Sequence, residues 1–286
     1  MQDGPWEGDA VVSLYDAQGK ELATFPQAGR FLFSASSDYL VVSQKPGKMI
    51  MDSLKIKKTK KEKIPMDALV IYSLAGNREV IDSLRTFKLA EKMDWLAFQK
   101  GKKDSTLYVR PLNGKLSTRY EAPAVKAFNF VEKSGMLYYI TAGDKAKEKP
   151  RLYLLNTETG VKTLIKEGDG VFKQVTFDED GANLAFLYCA QKDSCYKGMS
   201  LWLSQQGAPA AEIAARGNQA FPKGWVISEH GKLQFSKSAS RLFFGTSPEP
   251  RQKDTLQLAE NRPMCRCGVG TSRCNILYRI IIRRKS

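Results

Sequence analysis

The stretch that decides the fold is residues 151–188, which read RLYLLNTETGVKTLIKEGDGVFKQVTFDEDGANLAFLY. It contains two short apolar runs, and each run lies next to an acidic turn that carries glycine. Short apolar runs beside such turns are typical of paired antiparallel strands rather than of a helix. The stretch therefore predicts a module of β-structure.

Both runs of this module recur along the chain. The first run, Leu152-Tyr153-Leu154, has counterparts at residues 69–71, 107–109, 201–203 and, more loosely, 12–14. The last run, Leu184-Ala185-Phe186, has counterparts at residues 40–42, 96–98, 137–139 and 242–244. With Leu69, Leu107, Leu152 and Leu201 as anchors, the repeat steps are 38, 45 and 49 residues. A four-stranded propeller blade takes about 40–50 residues.

The repeat predicts an all-β fold, a partial β-propeller of about five four-stranded blades. Each small sheet has apolar faces that only neighbouring blades can cover. Since a complete ring needs more chain than this, we expect an incomplete ring. Residues 210–216, AAEIAAR, have some helix propensity, but so short a segment between Gly207 and Gly217 favours a strand or an irregular turn.

Length and composition fit a folded protein. A chain of 286 residues with 42% hydrophobic and 10% aromatic residues can bury a sizeable core and is not disordered throughout. No run of about 18 apolar residues is present, so we expect no membrane span. The start, MQDGP, lacks the features of a secretory signal, which predicts either a cytosolic protein or a missing true start.

The net charge of +15 is concentrated in two segments. Residues 55–63 contribute +5, residues 264–286 contribute +6, and the rest of the chain contributes only +4. We interpret residues 45–67 as a lysine-rich insertion between blades. Its lysines could contact phosphates, but it lacks the interleaved aromatic residues of single-strand binders, so a solvated insertion is favoured and no nucleic-acid partner is expected.

The tail at residues 264–286 holds three cysteines, no acidic residue and no blade pattern, so the blades are assigned to residues 1–263. One interpretation is a disordered basic tail. Another is a frameshift, because codons exist for residues 264–278 that read DVQVWSWDEPVQYTV in a shifted frame. In that string VQVWSW resembles the first strand of another blade.

The five cysteines offer a disulfide or ordinary thiols. Cys189 and Cys195 flank a polar turn between two strand candidates, so they could pair across a hairpin in an oxidising compartment, whereas in the cytosol they would be thiols. Cys265, Cys267 and Cys274 lack the paired spacing of a closed zinc site. No metal site is expected.

The sequence also offers no catalytic constellation. His230 is the only histidine, and it lies in a polar turn, SEHGK, where a solvated loop residue is favoured over a catalytic base. No G-x-S-x-G elbow, phosphate-binding P-loop, G-x-G-x-x-G or EF-hand loop occurs. We therefore predict no catalytic, cofactor-binding or metal-binding residues and no cofactor.

Residues 171–250 resemble a known family. The segments VFKQVTFDEDGANLAF, GWVISEHGKLQFS and RLFFGTSPEP, with FKLAEKMDWLAF at residues 87–98, resemble the N-terminal β-propeller of bacterial peptidases of the prolyl oligopeptidase family. In that family the propeller caps a C-terminal α/β-hydrolase domain and admits only small peptides to its serine, aspartate and histidine. The resemblance covers about residues 10–263.

The resemblance implies a truncated, non-catalytic, substrate-gating portion of such a serine peptidase, whose α/β-hydrolase domain is absent from this chain. It also implies that the parent enzyme acts on peptides and is periplasmic or secreted. The alternative is a free-standing propeller that serves as a protein-interaction scaffold. A third possibility, an active enzyme by itself, predicts peptide hydrolysis by the purified chain, which we do not expect.

Overall fold

The structure is a computed structural model that describes residues 2–3, 9–102, 105–113, 119–143, 148–190, 198–249 and 276–281. The chain divides into two compact units, residues 1–143 with 153–162, and residues 144–152 with 163–286. Apart from one α-helix and one 3₁₀ turn, the regular elements of the described residues are β-strands. The predicted all-β fold is confirmed.

The first half of the chain forms two sheets. The N-terminal sheet has three strands in chain order, β1 (Gln2–Asp3), β2 (Val11–Tyr15) and β3 (Glu21–Pro26). A seven-stranded sheet follows, again in chain order: β4 (Ala28–Phe33), β5 (Tyr39–Gln44), β6 (Asp67–Ser73), β7 (Arg78–Leu89), β8 (Trp95–Lys100), β9 (Leu107–Pro111) and β10 (Tyr120–Ala122).

Strand β7 belongs to two consecutive meanders. Residues 78–84 pair antiparallel with β6, and residues 84–89 pair antiparallel with β8. The register shifts on both sides of Leu84, and the preceding Ser83 has a φ of +60°. The strand therefore closes one four-stranded blade, β4 to β7 (blade 1), and opens the next, β7 to β10 (blade 2).

Three further sheets follow. Blade 3 has the strand order β11 (Val125–Phe130), β12 (Met136–Thr141), β13 (Arg151–Asn156) and β14 (Lys162–Glu167). Blade 4 consists of β15 (Val171–Phe177), β16 (Asn183–Cys189), β17 (Ser200–Gln205) and β18 (Ala211–Ala214). The last sheet contains β19 (Trp225–Ile227), β20 (Gln234–Phe235), β21 (Arg241–Pro248) and β22 (Ile276–Ile281).

The same turn leads into the second strand of each of blades 1 to 4 and into β21 of the last sheet. Each turn has one backbone N–H donating to the carbonyl five residues later, at 2.8–3.1 Å; the pairs are Ser34 to Tyr39, Ala90 to Trp95, Val131 to Met136, Asp178 to Asn183 and Ser236 to Arg241. In three turns the side-chain oxygen of the first residue also accepts the N–H of the last residue, and these acceptors are Ser34, Asp178 and Ser236. Successive sheets are therefore one repeated structural unit.

Strand register explains why the two apolar runs recur together. The third residue of one run lies opposite the second residue of the other, as in Val42 with Val70, Phe98 with Tyr108 and Phe186 with Trp202. The leucine that begins each run is at most 2% exposed, namely Leu40, Leu69, Leu96, Leu107, Leu137, Leu152, Leu184, Leu201 and Leu242. Burying each leucine contributes about 2 kcal/mol of hydrophobic stabilisation. The repeated leucines are thus core residues of the blades, and the predicted partial propeller of four-stranded blades is confirmed.

Three segments bear on the sequence interpretation. Helix α1 (Lys48–Ile56) and the 3₁₀ turn Lys61–Lys63 connect β5 to β6, which are paired neighbours in blade 1. The expectation that residues 45–67 lie between blades is therefore wrong, because the insertion lies within one blade. The segment at 210–216 contains strand β18, as favoured.

The tail contains a strand that the sequence did not indicate. Strand β22 pairs antiparallel with β21 over Ile276 to Ile281, on the side opposite to β19 and β20. Residues 264–275 and 282–286 lie outside the described residues. The origin of the tail in a shifted reading frame stays a prediction.

Candidate functional site

His230 lies in the turn between β19 and β20, with an exposed side chain. Its backbone N–H donates to the hydroxyl of the buried Ser228 at 3.2 Å. This contact shapes the turn and involves no imidazole atom. The structure therefore gives His230 the loop position that the sequence favoured, and the prediction that the chain has no catalytic residue stays a prediction.

Within the described part of the chain, no group of three or more histidine, cysteine or acidic residues could hold a metal ion. Cys265, Cys267 and Cys274 fall outside that part. Cys189 is buried at the end of β16 and is disulfide-bonded. Its partner also lies outside the described residues, so the pairing with Cys195 stays a prediction.

Aromatic pairs with a cation above them recur on the central strands of the blades. The stacked pairs are Phe98 with Tyr108, Tyr139 with Tyr153 and Phe186 with Trp202, with ring centroids 5.4, 5.3 and 6.5 Å apart. The cations are the ammonium groups of Lys100, Lys162 and Lys166. Because a ring face carries negative charge density, a cation within about 6 Å of it is attracted.

The most developed of these arrangements places Lys166, on β14 of blade 3, against two rings of blade 4. The Nζ atom lies 3.4 Å from the centroid of Trp202 and 4.6 Å from the centroid of Tyr188. These two rings stand nearly perpendicular, at 82° and 6.1 Å. The ammonium group is therefore bounded by two aromatic faces, as in a cation-binding aromatic cage. We call Lys166, Tyr188 and Trp202 the lysine cage.

Polar contacts fix the walls of the lysine cage. The indole N–H of Trp202 donates to the hydroxyl of Ser200 at 2.8 Å, and the N–H of Gly170 donates to the hydroxyl of Tyr188 at 3.0 Å. Gly168 packs against the same tyrosine hydroxyl, where a side chain would overlap it. Both rings are thus held in place by the turn between β14 and β15 and by β17 itself.

The environment of Lys166 acts on its charge in two directions. Burial lowers the pKa of Lys166, and the carboxylate of Glu212 partly opposes that shift. Glu212 lies on β18 opposite Trp202. Because the chain's own ammonium group lies against both rings, these contacts hold β14 of blade 3 against blade 4.

A second polar site joins blades 1 and 2. The carboxylate of Asp94, in the turn between β7 and β8, accepts the backbone N–H of Ser36, in the turn between β4 and β5, at 2.9 Å. Burial raises the pKa of Asp94, but hydrogen bonds from Ser36, Ser34 and Ala35 outweigh this effect, so the pKa lies below its usual value. The charged carboxylate therefore links the two turns by hydrogen bonds.

Two surface clefts lie at turns of the sheets. One, of about 230 Å³, is lined by polar residues of blades 1 and 2, including Asn77, Arg78 and Glu79. The other, of about 390 Å³, lies beside the loop before β19 and is lined by Phe221, Trp225 and the ion pair of Arg216 with Glu249. Neither cleft contains a nucleophile next to a general base.

Among the described residues, no helix has the length and apolar character needed to cross a bilayer.

Sequence reasoning found the aromatic runs but not the lysine cage. It recognised Leu201-Trp202-Leu203 and Leu184-Ala185-Phe186 as repeats, and strand pairing then places Trp202 beside Phe186 and Tyr188. The available signal was the aromatic residue in seven of the ten runs, since the third residue of one run and the second residue of the other face each other across neighbouring strands. Lys166 comes from β14, the last strand of blade 3. No local signal in the sequence predicts that it lies beside Trp202.

Comparisons with known proteins place similar structures among propeller-containing proteins. Prolyl oligopeptidase B from Galerina marginata is 11% identical with a TM-score of 0.46, and the match covers 86% of this chain and 36% of that one. The acylaminoacyl peptidase of Pyrococcus horikoshii is 12% identical with a TM-score of 0.44, over 79% of this chain and 36% of that one. TolB from Acinetobacter baumannii is 11% identical with a TM-score of 0.37, over 84% and 55%.

The chain spans 36% of the length of each of these two peptidases. No protein-family model matches the chain, and no curated protein matches it. At such low identities and TM-scores, the activity of these proteins is not carried over to this chain as a finding. The class defined by the described residues is a β-propeller protein of four-stranded blades.

Proposed function

We propose that this chain is the substrate-gating propeller portion of a prolyl oligopeptidase-like serine peptidase. In this proposal the chain is non-catalytic by itself, and the α/β-hydrolase domain that carries the chemistry lies outside it. Its role is to restrict access, so that small peptides reach the active site and folded proteins do not.

The observation that carries the proposal is the unbroken succession of leucine-anchored blades from β4 to β21. Their regular turns and buried leucines use the apolar residues for packing the sheets, which supports a structural role for these blades. The exposed loop position of His230 agrees with this role, since a triad needs its histidine beside a serine. The disulfide at Cys189 supports an oxidising compartment, as proposed for the parent enzyme.

The first test is a hydrolysis assay with the purified chain. We expect no cleavage of short peptide p-nitroanilides above the buffer rate, and a His230→Ala variant should be indistinguishable from the wild type. Hydrolysis that depends on His230 would replace the proposal with an active enzyme.

Gating needs a second, direct test. The propeller of a well-behaved prolyl oligopeptidase can be replaced by this chain, and cleavage of a short peptide compared with cleavage of a folded protein substrate. The proposal expects the chimaera to cleave the short peptide and to leave the folded protein intact. The isolated hydrolase domain, as the control, should cleave both substrates. Equal cleavage of both substrates would contradict gating, and stable capture of other proteins by the chain alone would favour the scaffold alternative.

A further inference from the structure

Helix α1 and the lysine-rich segment that follows it form a defined structure on blade 1. The helix begins after Gly47, whose carbonyl accepts the N–H of Met51 at 3.1 Å, and the N–H of Lys48 donates to the carboxylate of Asp9 at 2.9 Å. After the helix, the carbonyls of Glu62 and Ile64 accept hydrogen bonds from the ammonium group of Lys102. The insertion is therefore attached to the blade at both ends.

The helix is amphipathic, but its most apolar side chains face outward. No residue of α1 is buried, and Met51 and Leu54 are only half-buried. Met49 and Ile56, two turns apart on the same helix face, are 88% and 82% exposed, and Ile50 is 57% exposed. Scattered single apolar residues on a surface need no explanation, but three on one nine-residue helix leave an unpartnered apolar edge.

The segment that carries this apolar edge is rich in lysine. Residues 48–63 contain seven lysines against Asp52 and Glu62, a net charge of +5. Lys55 pairs with Asp52 at 3.2 Å across one helical turn, and Lys57, Lys58, Lys60 and Lys63 are exposed. Lysines next to exposed methionine and isoleucine on one short segment are the pattern of helices that lie in a membrane interface.

We propose that residues 48–63, the basic helix surface, dock this protein on an anionic lipid bilayer. Met49, Ile50 and Ile56 enter the boundary between headgroups and acyl chains, while the lysines contact lipid phosphates. A nucleic acid satisfies the lysines but gives the three apolar side chains no apolar partner. Charge complementarity and the exposed apolar edge together therefore favour the lipid surface. This inference is independent of the gating role.

The test is sedimentation of the full chain with lipid vesicles. Vesicles of phosphatidylcholine alone should leave the protein in the supernatant, and vesicles that contain about one-third phosphatidylglycerol should pellet it, since each lysine near an anionic surface contributes about 1 kcal/mol. Added salt should weaken the binding, because the screening length of electrostatic interactions shortens to about 8 Å at physiological ionic strength.

Two sets of variants separate the two components of the surface. Lys57→Gln, Lys58→Gln and Lys60→Gln together should lower the vesicle partition constant about 100-fold. Met49→Ser with Ile56→Ser should lower it about tenfold or more while the net charge is unchanged. All five side chains are exposed, so we expect these variants to fold as the wild type does.

Matched controls carry the same chemical changes elsewhere. Lys223→Gln, Lys232→Gln and Lys237→Gln remove three exposed lysines from the other unit, and Val80→Ser with Val161→Ser removes two half-exposed apolar side chains from strands or turns. Both controls should bind anionic vesicles within about twofold of the wild type. An equal loss in the lysine control would overturn the proposal in favour of a net-charge effect.

Duplex DNA provides the competing outcome. If the chain binds DNA at least as tightly as anionic vesicles, and Met49→Ser with Ile56→Ser changes neither affinity, the surface is a polyanion site and the proposal is wrong. Failure to pellet with anionic vesicles at low salt also overturns it.

Discussion

Lys166 shows how a single residue acquires a role that its sequence neighbours do not announce. It lies in β14 among other charged residues, yet its ammonium group packs 3.4 Å from the centroid of Trp202 instead of pointing into solvent. Burial lowers the pKa of this ammonium group, and the carboxylate of Glu212 only partly opposes the shift. Variants of the lysine cage can therefore distinguish stabilisation by attraction of the cation to the ring faces from stabilisation by packing alone.

A double-mutant cycle measures that contribution. We expect Lys166→Met and Trp202→Leu each to lower the free energy of unfolding, with a coupling energy of about 1 kcal/mol, because the cation loses its strongest ring partner. Urea denaturation of the wild type, both single variants and the double variant gives the coupling. Lys100→Met is the matched control, since the Lys100 ammonium lies 6.0 Å from Phe98 and 5.9 Å from Tyr108. Additive effects at Lys166 and Trp202 would show that packing alone matters.

Asp94 gives the chain a predictable acid sensitivity. Since its folded-state pKa is depressed, its contribution to stability is present above the ordinary carboxyl pKa and is lost as the pH falls through the folded value. Asp94→Asn should destabilise the protein by about 0.5–1 kcal/mol near neutral pH, because a charged but solvent-screened acceptor of backbone N–H groups becomes neutral. The difference in unfolding free energy should shrink as the pH is lowered below about 4. A difference that stays constant with pH would assign the loss to geometry and not to charge.

At the scale of elements, the turn between β14 and β15 shows why glycine recurs beside the strands. The sequence EGDG indicates a turn, but neither Gly168 nor Gly170 has a positive φ. A methyl group on Gly170 would overlap the carbonyl oxygen of Cys189 and lie 2.7 Å from Cζ of Tyr188. Glycine is needed there because the backbone and the Tyr188 side chain of strand β16 approach it closely.

Gly170→Ala should therefore lower the free energy of unfolding by about 3 kcal/mol, since backbone or Tyr188 must move to admit the methyl group. Gly207→Ala is the control: it has a φ of +73° and nothing within 4 Å of the added atom, so its cost should be only about 1 kcal/mol. Thermal and urea unfolding of both variants checks the ranking. Equal losses would mean that the close approach at Gly170 relaxes freely.

At the scale of the whole molecule, the disulfide at Cys189 constrains a chain whose other four cysteines lie outside the described residues. A disulfide limits the unfolded chain, which typically stabilises the folded state by about 2–4 kcal/mol. A reducing agent should lower the melting temperature of the wild type and leave Cys189→Ser unchanged. Thiol titration of the unfolded, unreduced chain should find at most three of its five cysteines free. Five free thiols would contradict the disulfide.

The sequence by itself determined the repeat and its anchors. Leucines at regular steps beside glycine-bearing turns indicate short strands, and the same leucines, such as Leu69 and Leu201, are fully buried in the structure. This succeeded because alternation and turn chemistry are local properties that follow from a strand's period of two residues. The same local reading misplaced the lysine-rich insertion between blades, because chain order does not show which strands are paired.

Tertiary structure alone decided which strands become neighbours, and therefore where side chains meet. It placed α1 inside blade 1, paired the tail strand β22 with β21, and brought Lys166 against Trp202 from another strand. These outcomes depend on strand register and on contacts between residues far apart in the chain, which no local pattern encodes. The blades could thus be predicted from the sequence. The lysine cage, the hydrogen bonds of Asp94 and the exposed apolar face of α1 depend on how the strands pair in the folded chain.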